Sequence, residues 1–162
     1  MKFIPATSDD WAATEVATLA PRRLLSPAQW RELADSWPQE LPVGLLLDND
    51  VDVQTLELPL ARFATIALRF PKWTDGRAYS QARLLRRRLR WRGELRAAGD
   101  VVVDMALQLS RTGFDVALLR AGQDPAVARR ALHFFDALLP GPFYQGDVRE
   151  PRPLFLRAQV PA

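Results

Sequence analysis

Cysteine is absent from the 162-residue chain, histidine occurs once, at His133, and lysine only twice, at Lys2 and Lys72. Without thiols there can be no disulfide, no thiolate nucleophile, no CxxC redox pair, no cysteine-ligated iron–sulfur cluster and no Cys-type zinc site. A single histidine removes multi-histidine metal sites and facial triads, and no metal is expected. No apolar run approaches the length of a membrane span, and the opening MKFIPATSDDWAA has neither the apolar core of a signal peptide nor the acid-poor character of a transit peptide. The expected location is the cytoplasm, with no membrane partner. GxGxxG, Walker A and GxSxG sequences are missing too, so standard nucleotide motifs and the nucleophile elbow are absent. Carboxylates, arginines, the two lysines, hydroxyls and backbone amides are left to carry any chemistry.

Apolar residues make up 48% of the chain and charged residues 25%, a balance that folds. The net charge of +3 hides a gradient: residues 1–50 hold 4 basic and 8 acidic side chains, and residues 51–162 hold 18 and 11. Most of the excess lies between Arg77 and Arg96, where eight arginines face one acid, Glu94. Such a strip attracts an anion or an acidic surface, and it equally describes the solvated face of a helix in an arginine-rich protein.

Residues 1–23 read as an irregular arm, with one short strand near Glu15–Leu19. Ser26–Trp37 reads as a helix: Ser26 caps it, Pro27 suits its first position, Gln29 completes a capping box and Pro38 stops it. Trp30, Leu33 and Trp37 share one face, read as packing. Apolar runs at Val43–Leu47, Thr65–Phe70, Glu94–Ala98 and Asp115–Leu119 read as strands, with Leu154–Gln159 as a late edge strand. Between them lie a short helical turn within Val53–Ala61, a helix capped by Thr74 or Asp75 and running to about Arg90, and another over Val101–Arg111 capped by Asp100 and closed at Gly113. A last helix starts after Asp124-Pro125 and ends near Leu138. Strands spaced by helices give βαβ units with right-handed crossovers. The expected fold is a single α/β domain over residues 24–162: a mainly parallel sheet of four or five strands, open or half-barrel-like.

In open parallel sheets ligands bind beyond the carboxyl ends of the strands. That rule selects Asp48, Asn49 and Asp50 after the first apolar strand, Lys72, Thr74, Asp75, Gly76 and Arg77 after the second, Gly99 and Asp100 after the third, and Arg120 after the fourth. Lys72 and Arg77 bracket a place for an anion, and Gly76 allows close backbone approach. Arg96 is a further anion candidate, on whichever face the strand alternation puts it. In a bland reading Asp75 caps the helix and pairs with Arg77. The run Asp48–Asp52 lacks the glycine and the terminal glutamate of a calcium loop. Ala78, Ala82, Leu85 and Leu89 form the buried stripe of the helix after Asp75, leaving Arg83, Arg86, Arg87 and Arg90 as a basic outer strip. This strip suits a protein partner or, as an alternative, nucleic acid, although no aromatics are interleaved for base stacking.

Three ordered blocks carry a resemblance: FPKWTDGRAYSQARLLR (Phe70–Arg86), GELRAAGDV (Gly93–Val101) with Asp104, and RTGFD (Arg111–Asp115). They resemble a bacterial family of uncharacterised proteins regarded as probable oxidoreductases of sulfite reduction, whose genes neighbour those of assimilatory sulfite reductase. Trp73, Ala78, Met105 and Thr112 stand where that family usually has Phe, Gly, Gln and Cys, so an essential thiol is not expected here. The resemblance implies a role in sulfur assimilation, with sulfite reductase or another protein of the same process as partner; it implies no catalytic residues. An electron carrier needs ligands, and this chain offers none for iron–sulfur or haem and has no dinucleotide fingerprint, so no cofactor is expected. The expectation is an accessory protein whose rim, built from Lys72, Asp75, Gly76, Arg77, Arg96 and Asp100, binds an anionic ligand or the reductase. A small oxidoreductase-type enzyme using Asp75, Asp100 or Asp104 as acid or base is the alternative.

Overall fold

Aliphatic runs too short for a helix become strands when a sheet can bury both their faces, and in the computed structural model, which describes residues 1–13, 19–133 and 148, seven of them do. They are β1 (Lys2–Pro5), β2 (Ala12–Ala13), β3 (Arg23–Leu25), β4 (Val43–Leu47), β5 (Thr65–Phe70), β6 (Glu94–Gly99) and β7 (Val116–Leu119). Every pairing is parallel, in the order β1-β7-β6-β5-β4-β3-β2. The α/β class, the parallel pairing and the half-barrel form agree with the sequence reading, but the strand number does not. Four or five strands were expected and seven are present, the additional ones drawn from residues 2–25. These are two to four residues long, too brief to show a period, and neighbouring strands specify them more than their own side chains do.

The order forces the sheet to curl. β1 and β2 are its two edges, yet only residues 6–11 join them. Six steps of about 4.8 Å would separate the edges of a flat seven-stranded sheet by about 29 Å. Pro5 to Ala12 spans at most about 25 Å when fully extended, and the 3-10 turn at Ala6–Ser8 shortens that reach. A half-barrel brings the edges close enough for this strap to cross.

Curling gives the sheet an outer and an inner face. Val43, Leu45 and Leu47, Ile66, Leu68 and Phe70, Leu95 and Ala97, and Ala117 and Leu119 point outward into one core. Helices α1 (Pro27–Leu33), α2 (Arg77–Arg83), α3 (Ala106–Thr112) and α4 (Pro125–Leu132) supply Trp30, Ala78, Ala82, Leu109 and Ala128 to that core. Of the alternate residues, which face inward, Gly44, Ala67 and Ala98 are small and Arg69, Glu94 and Arg96 are charged.

The capping box of α1 forms: Ser26 Oγ accepts the Gln29 N–H, and Gln29 Oε1 accepts the Ser26 N–H. Trp30 and Trp37 are buried, with Phe63 edge-on to Trp30 at 5.0 Å. Other helix ends differ from expectation. Gly76 is the N-cap residue of α2, while Asp75 accepts the Arg77 N–H from one position earlier. That helix passes into a π-helical turn over Leu84–Arg88. Asp100 caps nothing; Val101 and Val102 stay extended, a 3-10 turn follows at Val103–Met105, and α3 closes at Gly113 in the left-handed conformation, φ 100°. The short turn expected within Val53–Ala61 is displaced to the end of that range, as a 3-10 turn over Leu60–Arg62. Most of the expected strand at Glu15–Leu19, the end of the helix to Leu138 and the strand at Leu154–Gln159 lie outside the described residues.

Candidate functional site

Parallel pairing sends the carboxyl ends of β3 to β7 to one rim, so the loops selected by sequence do meet. After β4 come Asp48 and Asn49; after β5, Lys72, Asp75, Gly76 and Arg77; after β6, Asp100; after β7, Arg120. Side chains tie the loops together. Asn49 Nδ2 donates to Asp75 at 2.7 Å, and Arg77 pairs with the same carboxylate at 2.8 Å. Asp100 accepts the Trp73 backbone N–H at 3.0 Å and pairs with Arg120 at 2.6 Å. Gln81, buried on α2, donates to the carbonyls of Asp48 and Val51, each at 2.8 Å, and so fixes the β4 exit against the helix.

Gly99 makes the β6 turn possible. Its φ is +94°, and a Cβ there would lie 2.4 Å from the Phe70 carbonyl oxygen. This close approach lets the Asp100 N–H reach the same carbonyl at 2.8 Å, which aims the Asp100 side chain at the β5 loop.

Both rim acids are held below the ordinary carboxylate value. For Asp75 the chief cause is the side-chain hydrogen bond from Arg77; for Asp100 it is the Trp73 N–H, then Arg120. Arg77 is pushed up by the same contact with Asp75. The cations are therefore mostly engaged already. Arg69, Arg77 and Arg120 each meet an aspartate, whereas Lys72 is exposed and has no partner among the described residues. Beside it, Trp73 is 53% exposed, on a loop whose backbone Asp100 pins.

Arg96 is not at the rim. It faces inward near the middle of the sheet, and three carboxylates surround it. Its Nε donates to Glu94 at 2.7 Å, one Nη to Asp10 at 3.0 Å and the other to Asp9. The Trp11 ring lies 6.0 Å from the guanidinium carbon and presses on Gly44 of β4. The strap from β1 to β2 thus plugs the inner face. Small residues at Gly44, Ala67 and Ala98 leave it room. Burial is the largest influence on Asp9 and raises its pKa despite the adjacent Arg96.

Of the strip offered by Arg83, Arg86, Arg87 and Arg90, Arg86 turns inward. It donates to the carbonyls of Trp91, Gly93 and Gly113 and pairs with Asp115 at 2.6 Å. Arg83, Arg87 and Arg90 remain exposed. Among the described residues, no group of three His, Cys, Asp or Glu could hold a metal ion, and no helix is long and apolar enough to cross a membrane.

The family whose pattern fits this arrangement is one of bacterial proteins of unknown function, DUF934, which matches residues 44–155. The chain belongs to it. No curated protein matches the chain. The DUF934 match takes in the rim loops after β4 to β7 and Arg96, and it begins after β3 and after the strap that carries Asp9, Asp10 and Trp11. Thr112, read as standing where relatives carry cysteine, is buried and donates its hydroxyl to the Gln108 carbonyl at 2.8 Å. That position belongs to the packed core, away from the rim.

Sequence reasoning passed over Arg69. It pairs at 3.0 Å with Asp48, which the strand-end rule selects, and the two border a cavity of about 500 Å³ on the inner side of the rim. The signal was present in TIALRF: if Ile66, Leu68 and Phe70 face the core, Thr65, Ala67 and Arg69 face the other way.

Proposed function

We propose that this DUF934 protein is an accessory protein of assimilatory sulfite reduction. It binds an anionic ligand, or an acidic patch of the reductase, through the rim loop that carries Lys72, Asp75, Gly76 and Arg77, together with Asp100 from the loop after β6. The observation that carries this reading is Lys72 itself. It is the one uncompensated cation among Arg69, Lys72, Arg77 and Arg120, set on a loop held rigid by Asp100 and Asn49. An anion meeting Lys72 breaks no existing ion pair, and loop ordering costs little because the loop is already fixed. The exposed Trp73 ring beside it suits a protein contact, where tryptophan commonly anchors binding. Arg83 and Arg87 on the adjoining helix and its π-helical end, and Arg90 just beyond it, extend the cationic surface. The link to sulfur assimilation rests on the three-block resemblance beginning at Phe70.

A role for Asp75 or Asp100 as general acid draws no support from their environment. Both are shifted down, whereas proton donation near neutral pH needs a carboxyl shifted up. Thermal-shift measurements with sulfite, sulfate and adenylylated sulfate, together with capture of the purified reductase, test the proposal. A shift or capture that Lys72→Ala weakens about tenfold, and Arg77→Ala less, supports it. No response to any of these ligands, combined with reductase capture indifferent to both substitutions, sinks it.

A further inference from the structure

The cavity bordered by Asp48 and Arg69 lies where parallel sheets take their ligands, at the carboxyl ends of β3, β4 and β5 on the inner face. Its volume of about 500 Å³ falls in the range of small-molecule sites. Leu24 and Leu46, from the inward alternation of β3 and β4, give it an apolar wall. Ser26 and Gln29 also line it, but their capping box commits the Ser26 hydroxyl oxygen and the Gln29 carbonyl oxygen to backbone N–H groups. Reading of charge is left to Asp48 and Arg69, which meet at 3.0 Å and are about half exposed, at 56% and 47% of their side chains.

This pairing restricts the occupant. A simple anion would have to draw Arg69 from Asp48 and then sit against the bared carboxylate. A simple cation meets the converse problem at Arg69. A molecule carrying both charges on neighbouring atoms replaces each partner with an equivalent one, and the half-exposed pair it opens is worth little by itself. We propose that the cavity binds a free α-amino acid, with Arg69 taking the carboxylate, Asp48 taking the ammonium group, and an aliphatic or thioether side chain lying along Leu24 and Leu46. Arg69 presents the planar fork that grips a carboxylate through two hydrogen bonds. The main chain around Asp48 is held by Gln81, which donates to its carbonyl at 2.8 Å. The site is separate from Lys72 and Arg77 and does not rest on the accessory role proposed above.

Isothermal titration of the full chain with glycine, valine, leucine and methionine is the direct test, with isovalerate as a carboxylate-only probe and isoamylamine as an amine-only probe. Leucine and methionine are expected to bind at least about tenfold more tightly than glycine and than either single-charge probe. Arg69→Ala and Asp48→Ala are each expected to lower that affinity about tenfold or more without moving the melting temperature, both side chains being at the surface. Lys72→Ala is expected to leave amino-acid binding unchanged while weakening the anion or reductase response, so the two readings fail independently. The proposal is overturned by isovalerate binding as tightly as leucine, by affinities that neither Arg69→Ala nor Asp48→Ala alters, or by no heat from any amino acid up to about 10 mM.

Discussion

On the inner face of the sheet Arg96, its side chain 6% exposed, is enclosed by Asp9, Asp10 and Glu94. At the rim Arg77 and Arg120 each meet one aspartate and keep about half of their side chains in water. The chemical groups are the same and their duties differ. Water weakens the rim pairs, so they add little stability and can exchange partners. Within the inner cluster Arg96 and Asp9 have lost most of their water, while Asp10 and Glu94 keep part of theirs; parting the buried pair strands charge in a dry place, and it therefore acts as a clasp on the strap. The comparison separates the parts of this protein that hold from the parts that meet other molecules.

The largest break in that contrast comes from Arg96→Ala. It leaves Asp9 and Glu94 without a cation, while Asp10 keeps Arg22, and is expected to cost about 3–5 kcal/mol in urea unfolding. Freed of its cation, Trp11 should shift in emission. Arg96→Met, which fills the space, should lose stability as well, because Asp9 and Glu94 still lack a partner. Next in size is Gly44→Val. A Cβ at Gly44 would stand 2.6 Å from Leu24 and Thr65 and 3.1 Å from Trp11. Overpacking at the strap's seat is expected to cost about 1–3 kcal/mol, read from the same unfolding curves.

The pH dependence sharpens the contrast through its sign. Asp100 titrates below its ordinary 3.8 when folded, so the stability it contributes is complete above that value and is lost as pH falls through the lower, folded value. Asp100→Asn should therefore make the acid limb of a stability–pH curve shallower. Asp9 is shifted the other way. The folded chain holds its proton more tightly, so Asp9 lowers stability as pH rises past 3.8 toward the raised folded value, and Asp9→Asn should remove that decline. Equal slopes for the two variants would erase the distinction between clasp and rim. The smallest effects belong to Lys72→Ala and Arg77→Ala, whose midpoints in chemical unfolding are expected to match the parent's.

Local chemistry made the well-marked elements legible. VGLLL and TIALRF announce β4 and β5, and Ser26-Pro27 with Gln29 announces α1, because short-range patterns and caps are written in neighbouring residues. β1 to β3 were hidden because a strand of two to four residues has no period of its own; Ala12–Ala13 is a strand only since β3 lies beside it. The rim loops were legible through the strand-end rule, which needs topology alone. The pairing of Arg77 with Asp75 was legible too, because the two are close in sequence; that of Arg120 with Asp100 was not, because they find each other only in space. Arg96 shows the limit most clearly. Glu94 lies two residues away, while Asp9 and Asp10 arrive from the far end of the chain, and nothing in the order of residues connects them.

The pairing of β1 with β7 sets Lys2 against Val116 and Pro5 against Leu119. β1 must therefore wait for β7, near the other end of the described residues, before it gains its hydrogen bonds, and the strap's aspartates must wait for Arg96. Contacts so distant in order slow folding. Until they form, the growing polypeptide carries an open β7 edge and an unfilled hollow, a stage in which chaperones or a second copy could intervene.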